Sequence, residues 1–297
     1  MKLLSIATLL IIATLVPSSP SFAVVQKKTV EVVAPPAVVR TISRHEVRRF
    51  GYGGTFTLVG APAGSITIEG WSRNEAAKQF EVGISVELRA NTDADLELLS
   101  RFNNFVVDLD ADHLQVLTHG THDPAFMRPV KKFPKALLGL PWKIDYRIRV
   151  PFATDMEVNA GRGPLHISNV EGNIRVSAAE GDADLKLSAG TLSATLIKGK
   201  LNLEVPARSW GRGSAELRVA AGEIVVMIPP GFGGDFVAEV LRSGQIVNSY
   251  AGLEPLENTT PNQMKASLRS GSGGASFNLT IGDGTIVIKQ QSADSKQ

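Results

Sequence analysis

Asp108, Asp110, Asp112, His113, His119, His122 and Asp123 crowd a short stretch with side chains of the kinds that ligate metals. Carboxylate oxygens suit Ca²⁺, and imidazole nitrogens suit Zn²⁺. An EF-hand loop starting at Asp108 needs glycine at its sixth place and glutamate at its twelfth, where this chain has His113 and His119. That motif therefore fails. The plain alternative puts Asp108, Asp110 and Asp112 on the solvent face of one strand, with His119 and His122 in the next loop. A surface Zn²⁺ or Ca²⁺ site stays open as the second reading, and no metal ligand is assigned.

Other chemistries are weaker still. No Gly-x-Ser-x-Gly elbow is present. Gly51-Tyr-Gly-Gly54 and Gly211-Arg-Gly213 read as turns, since neither opens a helix that would cradle phosphate. The calcium-binding β-roll repeat needs an aspartate in every unit, and only Gly181-Asp-Ala-Asp184 comes near it. Asn258-Thr-Thr is a glycosylation-type triplet and is assigned no role. Polysaccharide cleavage would need carboxylates or basic residues gathered on one outer face. The outward positions of the repeats read His166, Arg175, Asp184, Lys186, Thr195, Asn202 and Glu204, a mixed polar wall that solubilises the chain. No catalytic or cofactor-binding residue, and no cofactor, is assigned.

Those outward residues sit in units punctuated by Gly163, Gly172, Gly181, Gly190 and Gly199, nine residues apart. Apolar residues fall at even offsets after each glycine, as in Leu165 and Ile167, Ile174 and Val176, or Leu201, Leu203 and Val205. Period two within a unit makes a strand with one buried face, and period nine between units makes a stack. Pro206–Arg212 interrupts the count, which returns at Gly213, Gly222 and Gly231. A hairpin meander is the competing reading, but it favours Asn-Gly or Asp-Gly turns and rarely keeps strict spacing. The expectation is an all-β fold: a right-handed parallel β-solenoid or β-roll-like stack with about nine residues per strand unit, over residues 152–289.

An open stack exposes unpaired edges, so its ends must be covered. Residues 51–151 are expected to be a β-rich N-terminal cap. It would hold strands at Thr55–Leu58, Ser65–Ile68, Val82–Leu88, Phe105–Leu109, Leu114–Leu117 and Trp142–Val150. The first two are separated by a Gly-Ala-Pro-Ala-Gly turn. One short helix is expected over Thr92–Phe102, with Thr92 as its cap and Asp93 and Asp95 favouring its positive end. A basic, proline-bearing loop follows from Thr121 to Pro141. Beyond Gly244 the period is expected to lapse, with Leu253–Lys265 irregular, Ala275–Ile281 and Thr285–Ile288 closing the domain, and 290–297 a polar tail.

Ahead of the cap, Met1 and Lys2, the apolar run Leu3–Val16 and Ser21-Phe22-Ala23 make the three-part pattern of a signal peptide, residues 1–23. The competing reading, a membrane anchor, needs roughly 20 apolar residues. No later segment is long and apolar enough to span, so no transmembrane segment is expected in the mature chain. Residues 24–50 read as a leader or linker broken by Pro35-Pro36, and Arg40, Arg44, His45, Arg48 and Arg49 suit a solvated stretch or a contact with anionic lipid or glycan. The chain has no cysteine, which excludes disulfides and a lipidated N-terminal Cys. A net charge of +2 and 6% aromatics argue against a nucleic-acid partner and against stacking platforms.

Ser65-Ile-Thr-Ile-Glu-Gly-Trp71, Ile144-Asp-Tyr-Arg-Ile-Arg-Val-Pro151, the repeated Gly-x-Leu/Ile-x-Val/Leu units and the ending Gly271–Ile288 resemble a bacterial putative-adhesin domain family, over roughly residues 51 to 289. The resemblance implies a β-solenoid in the cell envelope, the periplasm or outside the cell, and carries over no site residue. The function expected is that of an exported, non-enzymatic envelope protein, an adhesin-like binder or scaffold whose partner is an envelope glycan or another envelope protein. The alternatives are a glycan-active enzyme of lyase or hydrolase type using the same face, or a periplasmic envelope-stress or assembly component.

Overall fold

The computed structural model describes residues 38–72, 78–206, 210, 213–257 and 259–291. The expected export signal 1–23, residues 24–37, Asn258, residues 211–212 and the tail beyond Gln291 lie outside them. Among the described residues no helix is long and apolar enough to cross a membrane.

The fold is all-β. In chain order the strands are β1 (Val38–Arg49), β2 (Thr55–Ala63), β3 (Ile66–Gly70) and β4 (Gln79–Ala90), then helix α1 (Asp93–Phe102). Next come β5 (Asn104–Asp110), β6 (His113–His119), the short helix α2 (Pro124–Met127), β7 (Trp142–Val150), β8 (Asp155–Arg162) and β9 (Leu165–Ser168). The long strands β10 (Glu171–Lys186), β11 (Ala189–Glu204), β12 (Ser214–Ile228) and β13 (Gly234–Asn248) follow, with β14 (Leu253–Pro255), β15 (Lys265–Ser270) and β16 (Ala275–Gln290) completing the set. All sixteen belong to one sheet.

The stacking follows from the glycine spacing. β10 pairs with β11 in parallel, Ile174 opposite Leu192 and Gly181 opposite Gly199, a step of 18 residues and so two glycine intervals. Each long strand bends once, at Gly181, Gly199, Gly222, Gly284 or Gly244, all at positive φ. Glycine is required there by contact as well as by φ. At Gly181 (φ +138°) an added Cβ would lie 2.2 Å from the Gly163 carbonyl oxygen, and at Gly222 it would lie 1.8 Å from that of Gly199. On either side of the bend alternate residues point inward, so Ile174, Val176, Ala183 and Leu185 are all buried. Stacked on their equivalents in neighbouring strands, they form one continuous apolar core.

β2, β3, β6 and β7 join this stack in the same way. β2 pairs with β8 and β3 with β9, all parallel, and Gly64 turns between β2 and β3 as Gly163 does between β8 and β9. The turn expected between β2 and β3 is therefore a corner of the stack. One layer further out, β6 pairs with β2 and β7 with β3. Their corner is the whole segment 120–141, where the other coils turn on a glycine.

Antiparallel strands finish both ends: β4 and then β1 beyond β7, β5 beyond β6, and β15 and then β14 beyond β13. Helix α1 forms as its signals predict, with the Thr92 hydroxyl accepting from the Asp95 amide at 3.1 Å and Leu96 and Leu99 buried.

Three expectations need correction. Residues 38–49 are not linker: they form β1, paired with β4 along its whole length. The period does not lapse at Gly244, which stacks on Gly284. The two closing strands are one, β16, and it lies between β12 and β13, parallel to both. Period and alternation report which residues turn and which are buried, but contain nothing about which coil neighbours which.

A polar groove on the outer wall of the stack

The metal-ligand types of residues 108–123 do not converge, and among the described residues no three His, Asp or Glu side chains form a metal-sized group. Asp108 and Asp110 lie on β5, the outermost strand of its face, and Asp112 follows in the turn to β6. An edge strand carrying charge resists pairing with another chain, which accounts for the aspartates. His113 is turned away to the Thr57 hydroxyl, 2.9 Å from its Nε2. His119 stacks on Phe126 at 5.1 Å and His122 leans on Trp142 at 5.2 Å. Burial pushes His122 below its ordinary pKa, against the opposing pull of Asp123.

The arginines of β1 guard the other N-terminal edge in the same way. Arg40 reaches Glu97 of α1 at 3.0 Å, Arg44 and Arg48 each bond Glu46 at 2.6 Å, and His45 meets Glu81 at 2.9 Å.

The outward wall expected from the repeats divides between two faces. On the face after the corner glycines, Asn202 Nδ2 donates to Asp184 Oδ1 at 2.6 Å, and Lys186 pairs with Glu204 and Lys200 with Glu223, both at 2.9 Å. The row through His166, Asp184 and Asn202 then turns aliphatic at Val225, Val287 and Val247.

The face before the corners holds a shallow groove of about 390 Å³. Two outward rows floor it. In the first, Asp155 Oδ1 accepts from the Asn173 amide at 2.7 Å and its Oδ2 from Asn173 Nδ2 at 3.2 Å, while the Thr191 hydroxyl donates to Asn173 Oδ1 at 2.7 Å. Ser214 continues the row. In the second, Glu157, Arg175, Ser193 and Glu216 stand side by side on successive strands. The carboxylates are engaged: Glu157 accepts from Asn159 Nδ2 at 3.4 Å and Glu216 is bound by Arg218. Thr195 stands opposite Arg218 on the same face, just past the groove.

Of these groove residues the sequence pointed only to Arg175. The missed signal was positional: Asn173, Thr191 and Ser214 each follow a glycine of the repeat directly, and a small polar residue recurs there.

A second polar dent, about 360 Å³, lies near the N-terminal end and is lined by Ser43, Ser65, Ser85, Thr67, Asp145 and Arg147 among others. Burial alone would raise the Asp145 carboxyl. The Ser65 amide and hydroxyl, each 2.8 Å away, and Lys143 at 3.1 Å overcome that and hold it below its usual value.

Chemically, the main groove offers hydroxyl, carboxamide, guanidinium and carboxylate groups repeated at the strand spacing of about 4.8 Å. That arrangement offers a repeating polar polymer many matched hydrogen bonds.

No family model matches the chain, and no curated protein matches it. Among solved structures, a putative cell adhesion protein from Clostridium sporogenes aligns at 14% identity with a TM-score of 0.46, covering 84% of this chain and 100% of that one. A putative adhesin from Bacteroides fragilis aligns at 10% identity and a TM-score of 0.29, covering 86% and 100%. A putative lipid binding protein from Parabacteroides distasonis aligns at 12% and 0.28, covering 83% and 96%. At these distances the likenesses say nothing of what this chain binds.

Proposed function

We propose that this chain is an exported, non-enzymatic envelope protein, a right-handed solenoid of nine-residue legs that binds a linear envelope glycan or wall polymer along the groove of Asp155, Asn173, Thr191 and Arg175. The observation that carries the reading is the Asp155–Asn173–Thr191 ladder: three polar side chains fixed by mutual hydrogen bonds on successive strands, open to solvent along their length. Side chains already ordered lose little entropy on binding. Export rests on the pattern of residues 1–23.

The test is co-sedimentation of the chain with purified peptidoglycan, alongside calorimetric titration with soluble envelope polysaccharides. Binding that falls at least tenfold in Asn173→Ala/Arg175→Ala supports the groove. A chain that binds no glycan but retains a protein partner would place it with the scaffold or assembly components instead.

A further inference from the structure

The corner between β6 and β7 has an unusual make-up. From Pro124 to Ile144 there is no acidic residue, while Arg128, Lys131, Lys132, Lys135 and Lys143 give five cations. Arg128, Lys131, Lys132 and Lys135 are exposed, and so are Pro129 and Pro134 between them and Ala136 and Leu138 just beyond. The segment is fastened to the body from beneath. Leu137 is buried, Phe133 meets Phe102 of α1 edge-on at 4.9 Å, and Trp142 packs against the core. Prolines at 129, 134 and 141 stiffen what remains.

The nearby acids are already engaged. Asp123 accepts from the Ala125 amide at 2.8 Å, and Asp145 is held by Ser65 and Lys143. Glu97 on α1 is shared by Arg40 at 3.0 Å and Arg101 at 3.6 Å. Among the described residues Arg128, Lys131, Lys132 and Lys135 make no ion pair.

We infer that this corner docks the protein onto an anionic phospholipid surface, its lysines and arginine against the headgroups and Leu138 dipping among them. Complementary charge is the argument. Exposed cations interleaved with prolines and followed by an exposed leucine suit a surface that is anionic outside and apolar within, and a stiff segment gives up little freedom in meeting it. Other coils turn here on one glycine, so the segment is more than a corner requires. It sits one layer beyond β2 and β3, near the N-terminal end of the stack.

The test uses the chain beginning at Val24, which retains the whole sheet, sedimented with vesicles of phosphatidylglycerol and phosphatidylcholine or of phosphatidylcholine alone. Binding should require phosphatidylglycerol and weaken as salt rises. Lys131→Glu/Lys132→Glu/Lys135→Glu should reduce it at least 100-fold, roughly fivefold for each cation lost and more for each acid gained. Leu138→Ser should reduce it a few-fold, while Lys198→Glu/Lys265→Glu/Lys289→Glu, equal in charge but elsewhere, should change it less than threefold. Equal binding to both vesicle types, or an equal loss in the two triple variants, overturns the inference. So does soluble polyphosphate bound as tightly as vesicles with no effect of Leu138→Ser, which would make the ligand a dissolved polyanion.

Discussion

The guanidinium carbon of Arg44 lies 4.8 Å from the ring centre of Phe105. One residue belongs to β1, the last strand of one face, and the other to β5, the last strand of the opposite face. The contact bridges the two faces at the N-terminal end of the core and covers a ring that is otherwise apolar and 4% exposed. An arginine can do this because its flat cation attracts the ring face while its outer edge stays hydrated.

Arg44→Ala should therefore lower stability by about 1 kcal/mol, read as a reduced urea midpoint with unchanged slope. Arg49→Ala on the same strand should shift it much less. Equal effects would mean that only the charge of β1 matters.

The corner glycines should be far less tolerant than a glycine in open space such as Gly139. At Gly199 (φ +136°) a methyl group would meet the Gly181 carbonyl oxygen at 1.9 Å. Gly199→Ala should cost about 3 kcal/mol or more, or abolish folding. Gly139→Ala, with no atom within 4 Å of the new methyl and no positive φ, should leave the melting temperature nearly unchanged.

Trp210, 1% exposed, reaches back from the excursion between β11 and β12 to give its indole hydrogen to the Gly190 carbonyl at 2.7 Å and meets Phe277 of β16 edge-on at 5.4 Å. Trp210→Phe should lose chiefly the hydrogen bond, about 1 kcal/mol. Trp210→Ala should lose 3–5 kcal/mol, roughly, by leaving a cavity. Denaturant titrations of both variants separate the two contributions.

Acid should weaken the fold partly through Asp145. Its carboxyl is held below the ordinary 3.8 in the folded chain, so the stabilisation is complete above that value. It is lost as pH falls from there through the lower folded value, because protons then bind the unfolded chain first. Asp145→Asn should flatten the pH dependence of the melting temperature below about pH 4 and leave it unaltered between pH 6 and 8.

Much of this architecture can be read in the sequence, and the reasons for the rest are specific. The spacing from Gly163 to Gly199 and the alternation of Ile174 and Val176 report local requirements, positive φ and one buried side, which act within a strand. β1 is hard to recognise because an edge strand is chosen for charge, and Arg40, Arg44 and Arg48 imitate a solvated linker. The link between β2 and β3 reads equally as a turn or as a corner, since Gly60 and Gly64 are compatible with both. Asp155, Asn173 and Thr191 become a site only through an 18-residue register, and each alone is an ordinary surface residue.

The place of β16 has a consequence in time. A chain made from its N-terminus could settle coil upon coil as it emerges, each new strand adding to the last. Here β13 is synthesised before the strand that separates it from β12. Until residues 275–290 arrive, β12 keeps a bare edge and β13 has no parallel neighbour. The stack therefore cannot close in order of synthesis. It must wait, partly open, for a distant segment whose pairing is slow because its contacts are remote in sequence.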